Sequence, residues 1–248
     1  INVMAEGKSR RHAEIVESGD IYFLYRPKVR AEGEPEEGAG GIADVERFHI
    51  VLRPDGASRF RLMTVGRKRL PDVEDHERNW GFVDLVARSA KEITSGLDEQ
   101  RYRTKTRGER VRPAARPAGE GVYVLARTGH SLHLAYALEL PEKPGPVQRE
   151  LNILPEGSFA LSVKNPEKGS PAGAGLDGER EADYPEKLQE EFRGRRFAAE
   201  DTRLLDHAED ALYQAAREGG NAVRIHAVDT PPSAHSESII ARQIVDAI

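Results

Sequence analysis

The chain lacks cysteine altogether and is poor in aromatic residues, which make up 6% of its 248 positions. The absence of cysteine excludes a disulfide scaffold, a cysteine-ligated zinc or iron–sulfur site and a thiol nucleophile. No apolar run approaches the roughly 18 residues of a membrane-spanning helix, and the first residues lack the apolar stretch of a signal peptide. We therefore expect a soluble, cytoplasmic protein that does not bind membranes.

Charged residues, by contrast, are plentiful. They make up 32% of the sequence against 38% hydrophobic residues, and the formal net charge is −5. An average globular domain has about 45–50% apolar and about 25% charged residues. A core therefore forms here only if some segments stay outside it. Two Gly-rich segments, residues 31–41 and 168–178, are typical of such surface loops.

Alternation of apolar and polar residues predicts antiparallel strands in the first two thirds of the chain. The first strand runs from Ile21 to Tyr25, and a hairpin is centred on the turn at Pro54-Asp55-Gly56. The strictest alternation lies in residues 132–140, where four leucines and a tyrosine occupy every second position. A helix is predicted where apolar residues recur at helical spacing, at Phe82, Val83, Val86, Ala90 and Ile93, and an extended conformation of residues 80–86 is the alternative.

The last third of the chain changes to helical patterns. Asp183 and Glu186 have the spacing of a capping box before a helix that would carry Leu188 and Phe192. A second helix is predicted over residues 202–217. In the tail that follows, a short final helix would carry Ile240, Ile244 and Ile248 at intervals of four.

The order of strand and turn signals occurs twice, about 100 residues apart. The matching landmarks are Ile21 with Val122, Val45 with Val147, Pro54 with Pro155, and Phe60 with Phe159. That period is far longer than the 20–50 residues of a solenoid repeat, and it indicates an internal duplication.

These patterns together predict an α+β protein, mainly antiparallel β, built from two similar β-rich halves with helices concentrated in the C-terminal third. The predicted divisions are a polar segment over residues 1–17, halves over 18–117 and 118–220, and a tail over 221–248.

Two short motifs resemble those for nucleotide binding and serine hydrolysis, but the neighbouring residues that each motif requires are missing. Gly173 to Gly178 fits the dinucleotide-binding pattern, but polar loop precedes it where a strand is required. Gly129-His130-Ser131 resembles a nucleophile elbow without its closing glycine or the helix that must follow. We predict no cofactor and no catalytic residue.

Carboxylates and a histidine lie close together in the predicted helix over residues 202–217. Asp206 and Asp210 would share one helical face, which His207 reaches in part. Oxygen and imidazole ligands suit a divalent metal. A metal-dependent, hydrolase-like enzyme is therefore one alternative, and a solvated polar helix face is the other.

The most suggestive segment is basic: residues 101–117 hold seven cations and one acid, a net charge of +6. As a strand, it would project a row of cations from one face, which suits a row of phosphates or carboxylates. The alternatives are internal neutralisation by residues 174–191, which carry a net charge of −5, and a solvated edge strand that its charge protects from aggregation. The predicted anion-binding residues are Arg26, Lys28, Arg101, Arg103, Lys105 and Arg107.

Three segments carry a resemblance to known sequences. The stretch from Gly19 to Val29 (GDIYFLYRPKV), together with residues 44–48 and 161–166, resembles a family of bacterial proteins without assigned activity. The resemblance covers roughly residues 4–200 and leaves the tail from Asn221 outside. It implies a bacterial cytoplasmic protein and no particular activity.

The function predicted from these patterns is that of a non-enzymatic binding or interaction protein. Its anionic partner, a ligand or another protein, would meet the cationic strand, because the cations alternate within an otherwise acidic chain. A metal-dependent enzyme is the first alternative. A structural protein that self-associates through edge strands or the Ile240, Ile244 and Ile248 stripe is the second.

Overall fold

A computed structural model describes residues 14–35, 40–72, 77–128, 131–165, 167–168, 186–198 and 221–227. The strands are β1 (Glu14–Pro27), β2 (Arg30–Ala31), β3 (Val45–Pro54), β4 (Phe60–Val65), β5 (Arg78–Ala87), β6 (Gln100–Thr104), β7 (Gly108–Arg112), β8 (Arg116–Thr128), β9 (Ser131–Leu140), β10 (Glu156–Lys164), β11 (Phe197–Ala198) and β12 (Asn221–Ala227). The helices are α1 (Ala90–Leu97), α2 (Pro146–Glu150) and α3 (Glu186–Gln189), with short 3-10 segments at Ile42–Asp44 and Glu190–Phe192.

Nine strands form one antiparallel sheet in the order β11-β10-β12-β5-β4-β3-β1-β8-β9. Strand β10 pairs with β12 along one edge and with β9 along the other, since Phe159 lies opposite both Ala227 and Leu134. The pairing therefore continues from β9 back to β10, and the sheet curls into a closed circuit. A separate three-stranded sheet has the order β2-β7-β6.

The concave side of the curled sheet holds the main core. Alternate residues of each strand point inward, as the period of two in a strand requires. The ring of Tyr136 meets Phe23 edge-on at a centroid distance of 5.0 Å and stacks with Phe159 at 6.2 Å. Strand β9 follows the alternation predicted for residues 132–140, with Leu132, Leu134 and Tyr136 buried in this core.

One charged pair lies within this core. Arg61 of β4 is fully buried, and its guanidinium donates two hydrogen bonds to the carboxylate of Glu17 in β1, one of 2.8 Å to Oε2 and a second to Oε1. The hydroxyl of Tyr123 in β8 donates to the same carboxylate at 2.7 Å. Burial and the Glu17 charge raise the pKa of Tyr123. The pair thus joins three strands at one place.

The convex side of the sheet carries a smaller core beneath α1. Ser89 caps the helix: its hydroxyl accepts from the backbone N–H of Glu92 and donates to the Glu92 carboxylate. This N-cap satisfies one of the backbone N–H groups that have no acceptor within the helix. Ile93 and Leu97 pack with a set of strand residues, namely Val51, Leu62 and Ala87. The helix is only eight residues long, so this packing rather than intrinsic propensity holds it in place.

The prediction of an α+β fold with helices concentrated in the C-terminal third is wrong. The structure is mostly antiparallel β, and within its described part the last third contains only the four-residue helix α3 and a 3-10 turn beside two strands. The helix predicted from Phe82 to Ile93 is in fact strand β5 followed by α1. Periodicity alone misled here, because apolar residues that are buried on both faces of a strand can mimic helical spacing.

The predicted duplication into two similar halves is also unsupported. Val45 begins strand β3, whereas its proposed counterpart Val147 lies in helix α2. The supposedly equivalent strands β1 and β8 are neighbours that pair with each other, with Ile21 opposite Gly121. Strands from residues 18–117 and 118–220 therefore contribute to one continuous sheet, since hydrogen bonding between β1 and β8 joins them directly.

The prediction of a tail from residue 221 onward is wrong for residues 221–227, which form the strand β12 between β10 and β5. From Val223 to Ala227 the sequence alternates between apolar and polar residues. The predicted helices over residues 202–217 and around Ile240 to Ile248 lie outside the described residues. Among the helices that the structure describes, none has the length and apolar character needed to cross a bilayer.

Candidate functional site

The predicted cationic strand is one arm of a hairpin. Strand β6 ends at Thr104, residues 105–107 form the turn, and β7 returns antiparallel to it. Gly108 begins β7 with a φ of 67°, in the left-handed region that favours glycine. Of the predicted anion-binding residues, Arg101 and Arg103 therefore lie in the strand β6, and Lys105 and Arg107 lie in the turn.

The cations of the strand β6 are neutralised locally. Arg101 lies 3.1 Å from Glu32 and 3.0 Å from Glu99, and Arg103 lies 3.5 Å from Glu109 on the opposite strand. The acids that pair with them belong to the hairpin and to the loop after β2. The acidic segment 174–191, which was the alternative source of neutralisation, is described only from residue 186 onward.

The turn residues differ from those of the strand. Lys105 and Arg107 are exposed, and their side chains have no ion pair or hydrogen bond with any residue that the structure describes. Lys28 is likewise exposed. Residues 99–112 contain six cations against two carboxylates, a net charge of +4. Excess positive charge is thus concentrated at the tip of the hairpin.

Arg26 lies at the base of the hairpin and away from this tip. Its side chain is 5% exposed and donates to the backbone carbonyls of Gly96, Asp98 and Pro113 at 2.9, 3.2 and 2.6 Å. Burial and the neighbouring Arg112 lower the pKa of Arg26. These carbonyls precede β6 and follow β7, so Arg26 fastens both ends of the hairpin to the sheet.

We expect Arg26→Met to lower the free energy of unfolding by about 1–2 kcal/mol, because three carbonyls lose a charged donor and two of them can still reach water. Denaturant unfolding measures this loss. The neighbouring exposed substitution Lys28→Met serves as the control and should stay within about 0.5 kcal/mol of the parent. Equal effects of the two substitutions would contradict the role given to Arg26.

A polar cluster that the sequence did not reveal lies on the convex face. The Thr64 hydroxyl contacts His49 Nδ1 at 2.8 Å and donates to the Asp84 carboxylate. Because that hydroxyl has one proton, His49 Nδ1 must donate to it, which leaves Nε2 unprotonated. His49 Nε2 is buried without a hydrogen-bond partner among the described residues. Burial, Arg26 and Arg47 lower the pKa of His49 to about 4.

This cluster has the residue types of a catalytic triad but not the access. Thr64 is 2% exposed and His49 is 5% exposed, so a substrate atom cannot reach the hydroxyl. Asp84 is exposed, yet desolvation by its surroundings raises its pKa against the opposing hydrogen bond from Thr64. The arrangement therefore stabilises the sheet and does not form a nucleophile.

A groove of about 740 Å³ lies on the same convex face. Its floor includes Tyr22 and Leu24 of β1 and Val51 of β3, and Ile93 and Leu97 of α1 form one wall. The opposite wall consists of residues 117–120 and 140–141. The volume falls within the roughly 300–1,000 Å³ of small-molecule sites.

The predicted metal site is not tested by this structure. Asp206, His207 and Asp210 lie outside the described residues, as do Ile240, Ile244 and Ile248. Within the described part of the chain, no group of three or more histidine, aspartate or glutamate side chains is placed to hold a metal ion.

Comparison with known proteins adds no family to these observations: no protein-family model, no curated protein and no solved structure matches this chain.

Proposed function

We propose that this chain is a non-enzymatic binding protein whose partner is an acidic peptide segment held against the hairpin of β6 and β7. The observation that carries the proposal is the pair of exposed turn cations, Lys105 and Arg107, which lack ion-pair partners among the described residues. These cations attract a carboxylate over about one Debye length, which is roughly 10 Å at 0.1 M salt.

The hairpin also offers an aromatic contact. Tyr102 is 39% exposed and lies opposite Arg110 in the strand pairing. Tyrosine and arginine are the residue types enriched at the energetic centres of protein interfaces. A peptide that lies across this face can therefore combine charge pairing with apolar contact.

The charge of the whole chain favours a short acidic peptide over a long nucleic acid. The net charge is −5 and the isoelectric point is near 6.0, whereas dedicated nucleic-acid-binding domains are strongly basic. A short peptide interacts mainly with the local charge of +4, while a long polyanion also meets the acidic remainder of the protein.

The proposal predicts that reversing the turn charges, Lys105→Glu with Arg107→Glu, weakens binding of a labelled oligoglutamate peptide about tenfold. Fluorescence anisotropy over a salt series measures this affinity, and binding by the parent protein should weaken as salt rises.

The matched control, Lys91→Glu with Lys143→Glu, makes the same change in net charge at exposed sites outside the hairpin. It should retain most of the affinity. A control loss equal to that of the hairpin variant would attribute binding to bulk charge. Tighter binding of duplex DNA than of the peptide would assign the partner to nucleic acids and overturn the proposal.

A further inference from the structure

The groove on the convex face is lined chiefly by apolar side chains. Tyr22, Leu24, Phe60, Ile93 and Leu97 contribute to it. The groove is open to solvent, and Leu140 on the wall opposite α1 is 57% exposed. An apolar molecule placed here would cover side chains that now face water, which favours binding in proportion to the apolar area buried.

Charged groups occur at one end of the groove, around the hydroxyl of Tyr22. Asp20 forms an ion pair with Arg53, so these two charges compensate each other. Glu120 is exposed, and its carboxylate has no ion pair within the described part of the chain. Burial, Asp20 and Glu120 raise the pKa of Tyr22, while Arg53 lowers it. The uncompensated charge at this end is negative.

An aromatic ring beside an uncompensated carboxylate is complementary to a cation. The face of a tyrosine ring attracts ammonium groups through its quadrupole, and Glu120 adds a formal negative charge on the same side. An anionic head group would meet Glu120 with the same sign of charge. The apolar walls therefore suit an aliphatic part of a ligand, and the negatively charged end suits a cationic part of the same ligand.

We propose that the groove binds a monomeric amphiphile with one aliphatic chain and a cationic ammonium head. The chain lies between α1 and β1, and the head lies beside Tyr22 and Glu120. This site is independent of the hairpin and of the acidic peptide proposed for it, because no hairpin cation lines the groove.

Titration calorimetry with the full chain tests the proposal, with each amphiphile kept below its micelle concentration. Dodecyltrimethylammonium should bind at least tenfold more tightly than dodecyl sulfate. Its binding should show a negative heat-capacity change, the mark of apolar burial. Equal affinity for the two amphiphiles, or no binding of the ammonium compound, would overturn the proposal.

Two pairs of variants locate the ligand. Thr94→Trp fills the groove and should reduce affinity at least tenfold, whereas Ser95→Trp on the same helix lies outside the lining and should not. Glu120→Gln should reduce affinity for the ammonium compound about threefold to fivefold, whereas Glu156→Gln removes an exposed charge outside the lining of the groove and should have no effect. Equal effects within either pair would place the ligand outside this groove.

Discussion

Replacing Glu17 by alanine is expected to lower the free energy of unfolding by about 3–5 kcal/mol, because it leaves the guanidinium of Arg61 buried without its counter-charge. Arg61 is fully buried and donates two hydrogen bonds to this carboxylate. The Tyr123 hydroxyl loses its acceptor in the same variant. Equilibrium unfolding in urea measures the loss, provided that the transition is two-state.

A double variant that lacks both charges distinguishes the ion pair from the packing around it. Arg61→Met combined with Glu17→Gln removes both charges, and it should recover much of the stability that Glu17→Ala loses. Glu14→Ala is the control on the same strand, since Glu14 forms an exposed pair with Arg127 at 3.7 Å. Its expected cost is below about 1 kcal/mol. A comparable loss in Glu14→Ala would contradict the role assigned to burial.

Acidification from pH 7.5 to pH 5 is expected to remove about 2 kcal/mol of stability through His49 alone. The folded protein holds the pKa of His49 at about 4, whereas an unfolded histidine has a pKa near 6.5. Below pH 6.5 the unfolded chain therefore binds the proton first, and stability falls until the pH reaches the folded-state pKa.

The variant His49→Gln tests this assignment, because glutamine does not titrate. Unfolding free energies measured at several pH values should show a weaker dependence between pH 7.5 and 5 than the parent does. Asp84 has the opposite influence, since its raised pKa favours the folded state as the carboxyl becomes protonated. An unchanged pH dependence in His49→Gln would show that other groups cause the acid sensitivity.

Each polar cluster joins residues from three strands of the sheet, and the sequence pattern does not indicate either of them. Glu17 and Arg61 are 44 positions apart, and His49 and Asp84 are 35 positions apart. Nothing in the local pattern around these residues distinguishes them from exposed charges on a strand. Their burial results from strand pairing and from the sides of the sheet that they occupy.

At the hairpin, the sequence predicts the excess of cations but not the partners of those cations. A high density of cations over residues 101–112 was evident from composition. The pairing of Arg101 with Glu32, however, depends on the position of the loop after β2. Arg26 lies beneath the hairpin because β1 passes close to Gly96, before the hairpin, and to Pro113, after it. These neighbours come together only in the folded chain.

The sequence by itself determined the strands with strict alternation and excluded all chemistry that needs a thiol, because these properties depend on residue type and on neighbours within a few positions. Tertiary structure alone decided that β12 completes the circuit between β10 and β5. It also decided which charges are buried and where the groove opens. Those outcomes depend on contacts between residues far apart in the chain, and no local period encodes them.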